Sequence, residues 1–422
     1  MITKTTNNKL IPDRANLGGS RGKEATHSAG KGLIFHDWFP YLEGFSQGFV
    51  YNLVDAYIPD AKLIIEPFAG VGTTPIALAQ RGISCSYCEV NPVLQHLIST
   101  KSKALTSAPA WQSLSAFNTA VDLELIKFKR ANPDRALADS YLKCFNESVY
   151  FEETALEQIL KLKTVERSIS PDLKDYFTVA IYSSLLQGSL LRRAGDVRFK
   201  TEKELAKGTP DILDLVQRKL RLIGEQVFEA GSNDNFKSLN FLCGDSKELL
   251  TKETMPLADG VITSPPYLNG TNYFRNTRLE LWFTEVIKNQ TDLRILRDRA
   301  ITAGINDVTK TSGLTVLDEA KTYFDEISKV CYDQRIPKMI AAYFNDMKNV
   351  FLGLQKSVKP KGIICIDIGD SIYSGVHIPT NKILMDIGIS IGWTVVEEIL
   401  LRERFSNDGT KLSQTLMVFK ND

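Results

Sequence analysis

Short, nearly unbroken apolar runs alternate along this chain with longer stretches in which apolar residues return every three or four positions. Leu63-Ile64-Ile65, Ile83 to Cys88, Ala258 to Ile262, Gly362 to Gly369 and Trp393 to Leu400 are the short runs. Their length and continuity read as strands buried on both faces, as in a parallel sheet. Leu156-x-x-Ile159-Leu160-x-Leu162 and Ile212-Leu213-x-Leu215-Val216 have helical spacing instead. A helical run is expected from Leu173 to Arg193, and another from about Asn381 to Ile391. Gln414 to Lys420 is a strand with no helix before it, separated from the preceding one only by the loop Arg402 to Ser413. Those last two strands should pair antiparallel, giving an α/β, doubly wound, mostly parallel sheet whose final strand turns back.

The pattern divides the chain into four zones. Residues 1–31 are polar and carry Gly18-Gly19, so they read as a mobile N-terminal tail. Residues 32–94 and 241–422 carry the strands, and 95–240 reads as a helical insertion between the second and third strands. No internal repeat or long heptad run occurs.

Two of the strands end in chemistry. Leu63-Ile64-Ile65 runs into Glu66-Pro67-Phe68-Ala69-Gly70-Val71-Gly72-Thr73-Thr74. This reads as strand, glycine turn and helix, with Thr74 as N-cap and Pro75 at the first helical position. Gly70 and Gly72 let backbone approach a ligand closely. A dinucleotide fingerprint would carry a third glycine and would set a pyrophosphate at the helix start. Here Glu66 stands just before the turn, where it repels phosphate and suits an ammonium group. Glu89 ends the next strand, where a carboxylate can take ribose hydroxyls.

Ala258 to Ile262 runs into Thr263-Ser264-Pro265-Pro266-Tyr267. Two prolines fix φ near −65° and donate no N–H, so the carbonyls of this turn are rigid acceptors. With the Ser264 hydroxyl on one side and the Tyr267 ring on the other, the turn forms a cup for an exocyclic amine on a flat heterocycle. Ser264 Oγ and the Pro265 carbonyl would take the two amino hydrogens, and Tyr267 would stack on the ring.

On these two motifs the chain resembles the amino-group DNA methyltransferases, whose hallmarks are an acidic-Pro-Phe-x-Gly-x-Gly loop and a (Asp/Asn/Ser)-Pro-Pro-(Tyr/Phe) loop. The Ser form at Ser264, Pro265, Pro266 and Tyr267 is similar to that of cytosine-N4 enzymes, whereas Asp or Asn there is typical of adenine-N6 enzymes. The resemblance implies a seven-stranded methyltransferase sheet and S-adenosyl-L-methionine as cofactor. It extends to His36-Asp37-Trp38-Phe39-Pro40-Tyr41, an element expected to close over the methionine end through Phe39 and Tyr41. Cys243-Gly244-Asp245-Ser246 is similar to the family's adenine-contacting segment, with Asp245 as acceptor. The implied cofactor set is Phe39, Tyr41, Glu66, Phe68, Gly70, Gly72, Thr73, Glu89 and Asp245. Implied partners are duplex DNA and, in this size range, a cognate restriction endonuclease, with monomeric action.

The family's recognition region is not found at its usual places, so the insertion or the stretch from about Lys288 to Arg335 should read the DNA. The latter, with Gly304 and Gly313, is expected to be a mobile loop. The rival readings are adenine-N6 transfer by the same cup, methylation of an RNA amino group, and a non-catalytic cofactor-binding DNA protein.

Composition narrows this further. With Lys+Arg 51 against Asp+Glu 50, the chain has no charge excess with which to coat nucleic acid, so binding must be local. Arg275 and Arg278, shortly past the catalytic loop, and Arg192 and Arg193, at the end of a helical run, are the leading DNA contacts. Six cysteines without a secretory signal read as reduced thiols in a cytoplasmic protein, and no apolar run reaches membrane-span length. None of the cysteines follows a proline, so the nucleophile loop of carbon-5 cytosine methylation is absent. Cys85-x-x-Cys88 has residues on opposite strand faces and lacks further ligands, so no metal is expected.

Overall fold

Each continuous apolar run becomes a strand because its two sets of alternate side chains meet apolar layers on both sides. The computed structural model describes residues 24–41, 43–194, 196–231, 236–268, 273–309, 315–405 and 409–422. The cofactor half holds α1 (Gln47–Tyr57), β1 (Leu63–Glu66), α2 (Thr73–Gln80), β2 (Ser84–Cys88) and α3 (Pro92–Thr106). The insertion follows with α4 (Leu114–Phe128), α5 (Arg135–Phe145), α6 (Glu153–Ser168), α7 (Pro171–Leu185), β3 (Leu191–Ala194), β4 (Asp196–Phe199), α8 (Glu202–Leu205) and α9 (Ile212–Ala230). The chain then returns to the sheet with β5 (Leu239–Cys243) and β6 (Ala258–Thr263). After these come α10 (Tyr273–Asn276), α11 (Arg278–Phe283), α12 (Gln290–Asp298), α13 (Lys321–Val330) and α14 (Arg335–Ser357). The last segment is β7 (Val358–Gly369), β8 (Ser371–Tyr373), β9 (Val376–Ile378), α15 (Thr380–Ser390), β10 (Trp393–Phe405) and β11 (Lys411–Asn421).

The central sheet has seven strands in the order β10-β11-β7-β6-β1-β2-β5. The pairs β7–β6, β6–β1, β1–β2 and β2–β5 are parallel, and β11 runs antiparallel to both β7 and β10. This is the doubly wound α/β sheet with a reversed last strand that the sequence predicts. Successive residues face opposite layers. Ile64, Ile262, Cys365, Leu416 and Val418 face the layer built by α1 and α2, with Phe49, Leu53 and Leu78. Ile65, Val261, Ile364, Ile366 and Phe419 face the opposite layer, with Met347 and Phe351 of α14 and Ile383 of α15. The insertion shares a third core with the cofactor half, running from Trp38 and Val71 through Leu97 and Phe177 to Trp282. Trp38 Nε1 donates to Gln226 Oε1 at 2.9 Å, and Trp282 Nε1 to Ser140 Oγ at 3.0 Å.

Four local expectations change. Helix α2 begins two residues early, with Gly72 as N-cap at φ 85°. The left-handed glycine has already turned the chain, and Ile76 N closes the first helical bond on the Gly72 carbonyl. The helical run from Leu173 stops at Leu185, and Arg192 and Arg193 lie on the β3–β4 hairpin. A Cβ at Gly188 would come 2.1 Å from Ile212, so the chain turns where only glycine fits beneath α9.

The stretch from Lys288 to Arg335 is structured over its described part. Asn289 and Asp292 form a capping box for α12, Leu296, Ile301 and Ala303 are buried, and α13 follows. Gly313 lies outside the described residues. Finally, residues 24–31, expected to belong to a loose tail, pack against the sheet domain. Ala25 and His27 are buried, and His27 stacks on His36 with ring centroids 3.9 Å apart. Residues 1–23 lie outside the described part.

Candidate functional site

The carboxyl ends of β1, β2, β5 and β6 open on one cavity of 480 Å³, in the position where ligands sit in doubly wound sheets. Glu66 ends β1, Glu89 follows β2, Asp245 follows β5 and Ser264 follows β6. Tyr41, Glu66, Phe68, Gly70, Thr73, Glu89 and Asp245 all line the cavity, and so do Ser264, Pro265, Pro266 and Tyr267.

The glycine loop is held by bonds its own sequence supplies. Gly70 N donates to Glu89 Oε2 at 2.7 Å, Gly72 N to the Ala69 carbonyl at 2.8 Å, and Ala69 N to the Cys88 carbonyl at 3.0 Å. Gly70 and Gly72 have φ of 55° and 85°, the left-handed region in which a side chain is strained. A Cβ on Gly70 would point at the Tyr41 phenol, 3.7 Å away, and would take up ligand space. A Cβ on Gly72 would meet Ile98 at 2.7 Å. Behind the loop, buried Lys101 donates to the Val71 carbonyl at 2.8 Å, and burial pulls its pKa down to about 7.

The acidic groups are poised for cationic and hydroxyl partners. Glu66 is 2% exposed and accepts from Phe68 N at 2.9 Å and Thr263 Oγ1 at 2.5 Å. Burial pushes its pKa up to about 7 against the pull of hydrogen bonds from Thr263, Phe68 and Thr74. Glu89 is likewise raised to about 7 by burial, opposed by hydrogen bonds from Asn91 and Gly70. Asp245 accepts from Lys247 N at 2.9 Å.

The proline turn is braced from outside. Tyr343 OH donates to the Pro266 carbonyl at 2.9 Å, Tyr267 N donates to Tyr273 OH at 3.3 Å, and Tyr267 OH donates to Asp367 Oδ2 at 3.3 Å. Among the described residues no donor reaches the Pro265 carbonyl, so the acceptor that the cup offers is left to a ligand.

Other expected site residues stand elsewhere. Phe39 does not line the cavity. It is 1% exposed and packs edge-on against Tyr182, because the 3-10 turn at His36–Trp38 directs it into the shared core. Arg193 is turned toward the protein. Its Nη1 donates to the Pro40 carbonyl at 2.9 Å and its Nη2 to the Asn276 carbonyl at 3.1 Å, so it clamps the cavity's wall. Arg278 is partly buried, with its guanidinium carbon 4.2 Å from the Tyr150 ring centroid, so its charge is already stacked. Arg192 is exposed but bound to Glu204, which also holds Arg198 at 2.8 Å. Arg275 is exposed, between Phe274 and Asn276, which line the cavity. Asn91, Asn276, Thr277, Arg299, Arg402 and Gln414 also line it. Polar residues inside otherwise apolar strands, as at Asp367 and Gln414, are the signal that was there to be read. Among the described residues no group of three or more potential metal ligands occurs, and no helix is long and apolar enough to cross a membrane.

A glycine loop and three acidic groups share the carboxyl edge of this sheet with a proline-framed cup, the arrangement expected of a methyltransferase. Sequence relatives agree. The chain is 25% identical over 417 residues to the type II methyltransferase M.AvaI of Nostoc sp. (strain PCC 7120 / SAG 25.82 / UTEX 2576), covering 90% of this chain and 83% of that one. It is 23% identical over 457 residues to the type II methyltransferase M.BsoBI of Geobacillus stearothermophilus, covering 98% and 86%. No family model matches the chain. Among solved structures, the rRNA methyltransferase aviRa from Streptomyces viridochromogenes aligns over 89% of this chain and 83% of that one, at 7% identity and a TM-score of 0.28. The strand order itself, and not that alignment, identifies the fold. S-adenosyl-L-methionine is the cofactor, and the residues present fit it: buried carboxylates for its ammonium and hydroxyl groups, and at Gly70 backbone that leaves the cavity open.

Proposed function

We propose that this chain is a site-specific DNA methyltransferase that moves a methyl group from S-adenosyl-L-methionine to the exocyclic N4 amine of an extruded cytosine in duplex DNA. The setting is restriction–modification, beside a cognate restriction endonuclease, as the type II relatives suggest. The observation that carries the reading is that the Ser264–Tyr267 cup and the Glu66–Gly72 loop open on the same cavity. A target amine in the cup and a methyl donor on the loop would share that cavity.

When bound, the cofactor supplies an electrophilic methyl group on a sulfonium. In this reading Glu66 balances the cation, Glu89 takes ribose hydroxyls, Asp245 accepts from the adenine amine, and Phe68 and Tyr41 enclose the rest. Ser264 Oγ and the Pro265 carbonyl accept the two hydrogens of the target amine. That geometry favours a pyramidal nitrogen whose lone pair is no longer delocalised into the ring. Tyr267 stacks on the extruded base, worth about 1–3 kcal/mol against the few kcal/mol that extrusion costs. The residues contribute alignment and charge placement, and no covalent enzyme intermediate is required. The insertion over 95–240 is the region proposed to read the DNA, with exposed Arg275 beside the cup.

Incubation with duplex DNA and labelled S-adenosyl-L-methionine, digestion to nucleosides and identification by mass tests the reading. N4-methylcytosine is expected. N6-methyladenine would replace the base assignment, and absence of label in DNA would overturn the function.

A further inference from the structure

The wall of the cup beyond Tyr267 contains a chain of polar groups that the methyl-transfer reading does not use. Asp367 and Gln414 are each 1% exposed, within β7 and β11. Gln414 Nε2 donates to both carboxylate oxygens of Asp367, at 2.7 Å and 2.8 Å. Its Oε1 accepts from Arg402 Nε at 2.5 Å across the β10–β11 pair, where the two residues are direct cross-strand partners. The carboxylate also accepts the Tyr267 hydroxyl. A carboxylate only accepts and a guanidinium only donates. The amide of Gln414 between them can therefore point one way only. Burying a carboxylate and an amide in an apolar sheet is costly unless both are bonded, so this alignment is held strongly. Its outer end is an exposed arginine on the rim of the cavity.

An aimed guanidinium at the mouth of this cavity suits an oxyanion, and two are at hand: a DNA phosphate and the carboxylate of the cofactor. Sheet order separates them. The acidic groups assigned to the cofactor follow β1, β2 and β5, at one end of the sheet, whereas Arg402 lies on β10, the opposite edge. Between them stands the cup, whose Tyr267 shares Asp367 with the Arg402 arm. We propose that Arg402 grips the DNA phosphate beside the extruded base, positioned by Gln414 and Asp367. The inference rests on the DNA-methyltransferase reading. Asp367 and Gln414 are positioning residues, coupling the ring that stacks on the base to the arm that holds the backbone.

The test is methyl transfer to plasmid duplex DNA by wild type, Arg402→Ala, Arg402→Lys and Asp367→Asn, at a series of salt concentrations, with cofactor binding measured separately. Arg402→Ala should raise KM for DNA about tenfold, as loss of one charged hydrogen-bonding contact does. The slope of log(kcat/KM) against log[salt] should flatten by about 0.9, the share of one phosphate contact. Arg402→Lys should keep the slope, because a point charge remains. Asp367→Asn should raise KM for DNA as well, since an amide there lets Gln414 turn over. Cofactor affinity should not change in any of them. An unchanged salt slope in Arg402→Ala overturns the proposal, as does a loss of cofactor affinity in its place. If Asp367→Asn does not fold, the two Arg402 variants decide the matter alone. Wild type without methyl transfer to DNA would overturn the functional reading itself, whereas an active wild type with an indifferent Arg402 overturns only this inference.

Discussion

At the scale of single residues, Ser264 and Glu66 separate two jobs that share one cavity. In the proposed reading Ser264 accepts from the target amine, so Ser264→Ala should lower kcat by about a hundredfold, the low end for loss of one preorganised hydrogen-bonding group. Calorimetry should find its affinity for S-adenosyl-L-methionine unchanged. Glu66 has the opposite signature. Its pKa is raised to about 7 by burial, so between about 4.5 and 7 the folded chain holds a proton that the unfolded chain has released. Its contribution is fully present below the unfolded pKa and is lost as pH rises through about 7. Wild type should therefore lose stability relative to Glu66→Gln across that window, by up to about 1.4 kcal/mol per pH unit. Denaturant midpoints of the two proteins compared from pH 5 to 8 would show it. A cationic ligand favours the ionised carboxylate, so wild-type cofactor affinity should rise with pH through the same range, with proton release on binding.

At the scale of elements, the glycine loop shows how a strand, a turn and a helix are coupled. Gly72 combines a left-handed φ with a neighbour, Ile98 of α3, that leaves no space for a Cβ. Gly72→Ala should cost about 1–3 kcal/mol, from backbone strain and overpacking together, read as a lower thermal midpoint. Gly70→Ala differs, since its Cβ would face Tyr41 across the cavity without a clash. Its cofactor affinity should fall by more than its stability does, a contrast that separates a packing glycine from a ligand-facing one.

At the scale of the whole molecule, Arg193 joins three parts that are remote in sequence. It projects from the β3–β4 hairpin, bonds Pro40 in the N-terminal wall and Asn276 after the proline turn, and its charge opposes the rise in pKa that burial imposes on Glu280. Arg193→Met should cost about 1–3 kcal/mol through the orphaned carbonyls. It should also weaken cofactor binding, because Asn276 and the N-terminal segment both line the cavity. Thermal unfolding with and without S-adenosyl-L-methionine would measure both effects.

Sequence alone determined the strands, their mostly parallel order with a reversed end, and the two loops that meet at the site. Those features are local: short, mostly apolar runs, a glycine turn, two prolines. What only the tertiary structure decided depends on neighbours that sequence spacing does not reveal. Phe39 turned inward because a core continues beneath it. Arg193 bonds backbone carbonyls and Arg278 stacks on an aromatic ring, contacts that spacing along the chain does not show. The helix expected to carry Arg192 and Arg193 stops at Leu185, and both residues lie on a hairpin. Arg402 and Gln414, some 140 residues beyond Ser264, reach the same cavity because β10 and β11 fold back beside β7. Burial, charge pairing and steric exclusion are properties of a packed interior. They assign a side chain its role only once the chain has closed around it.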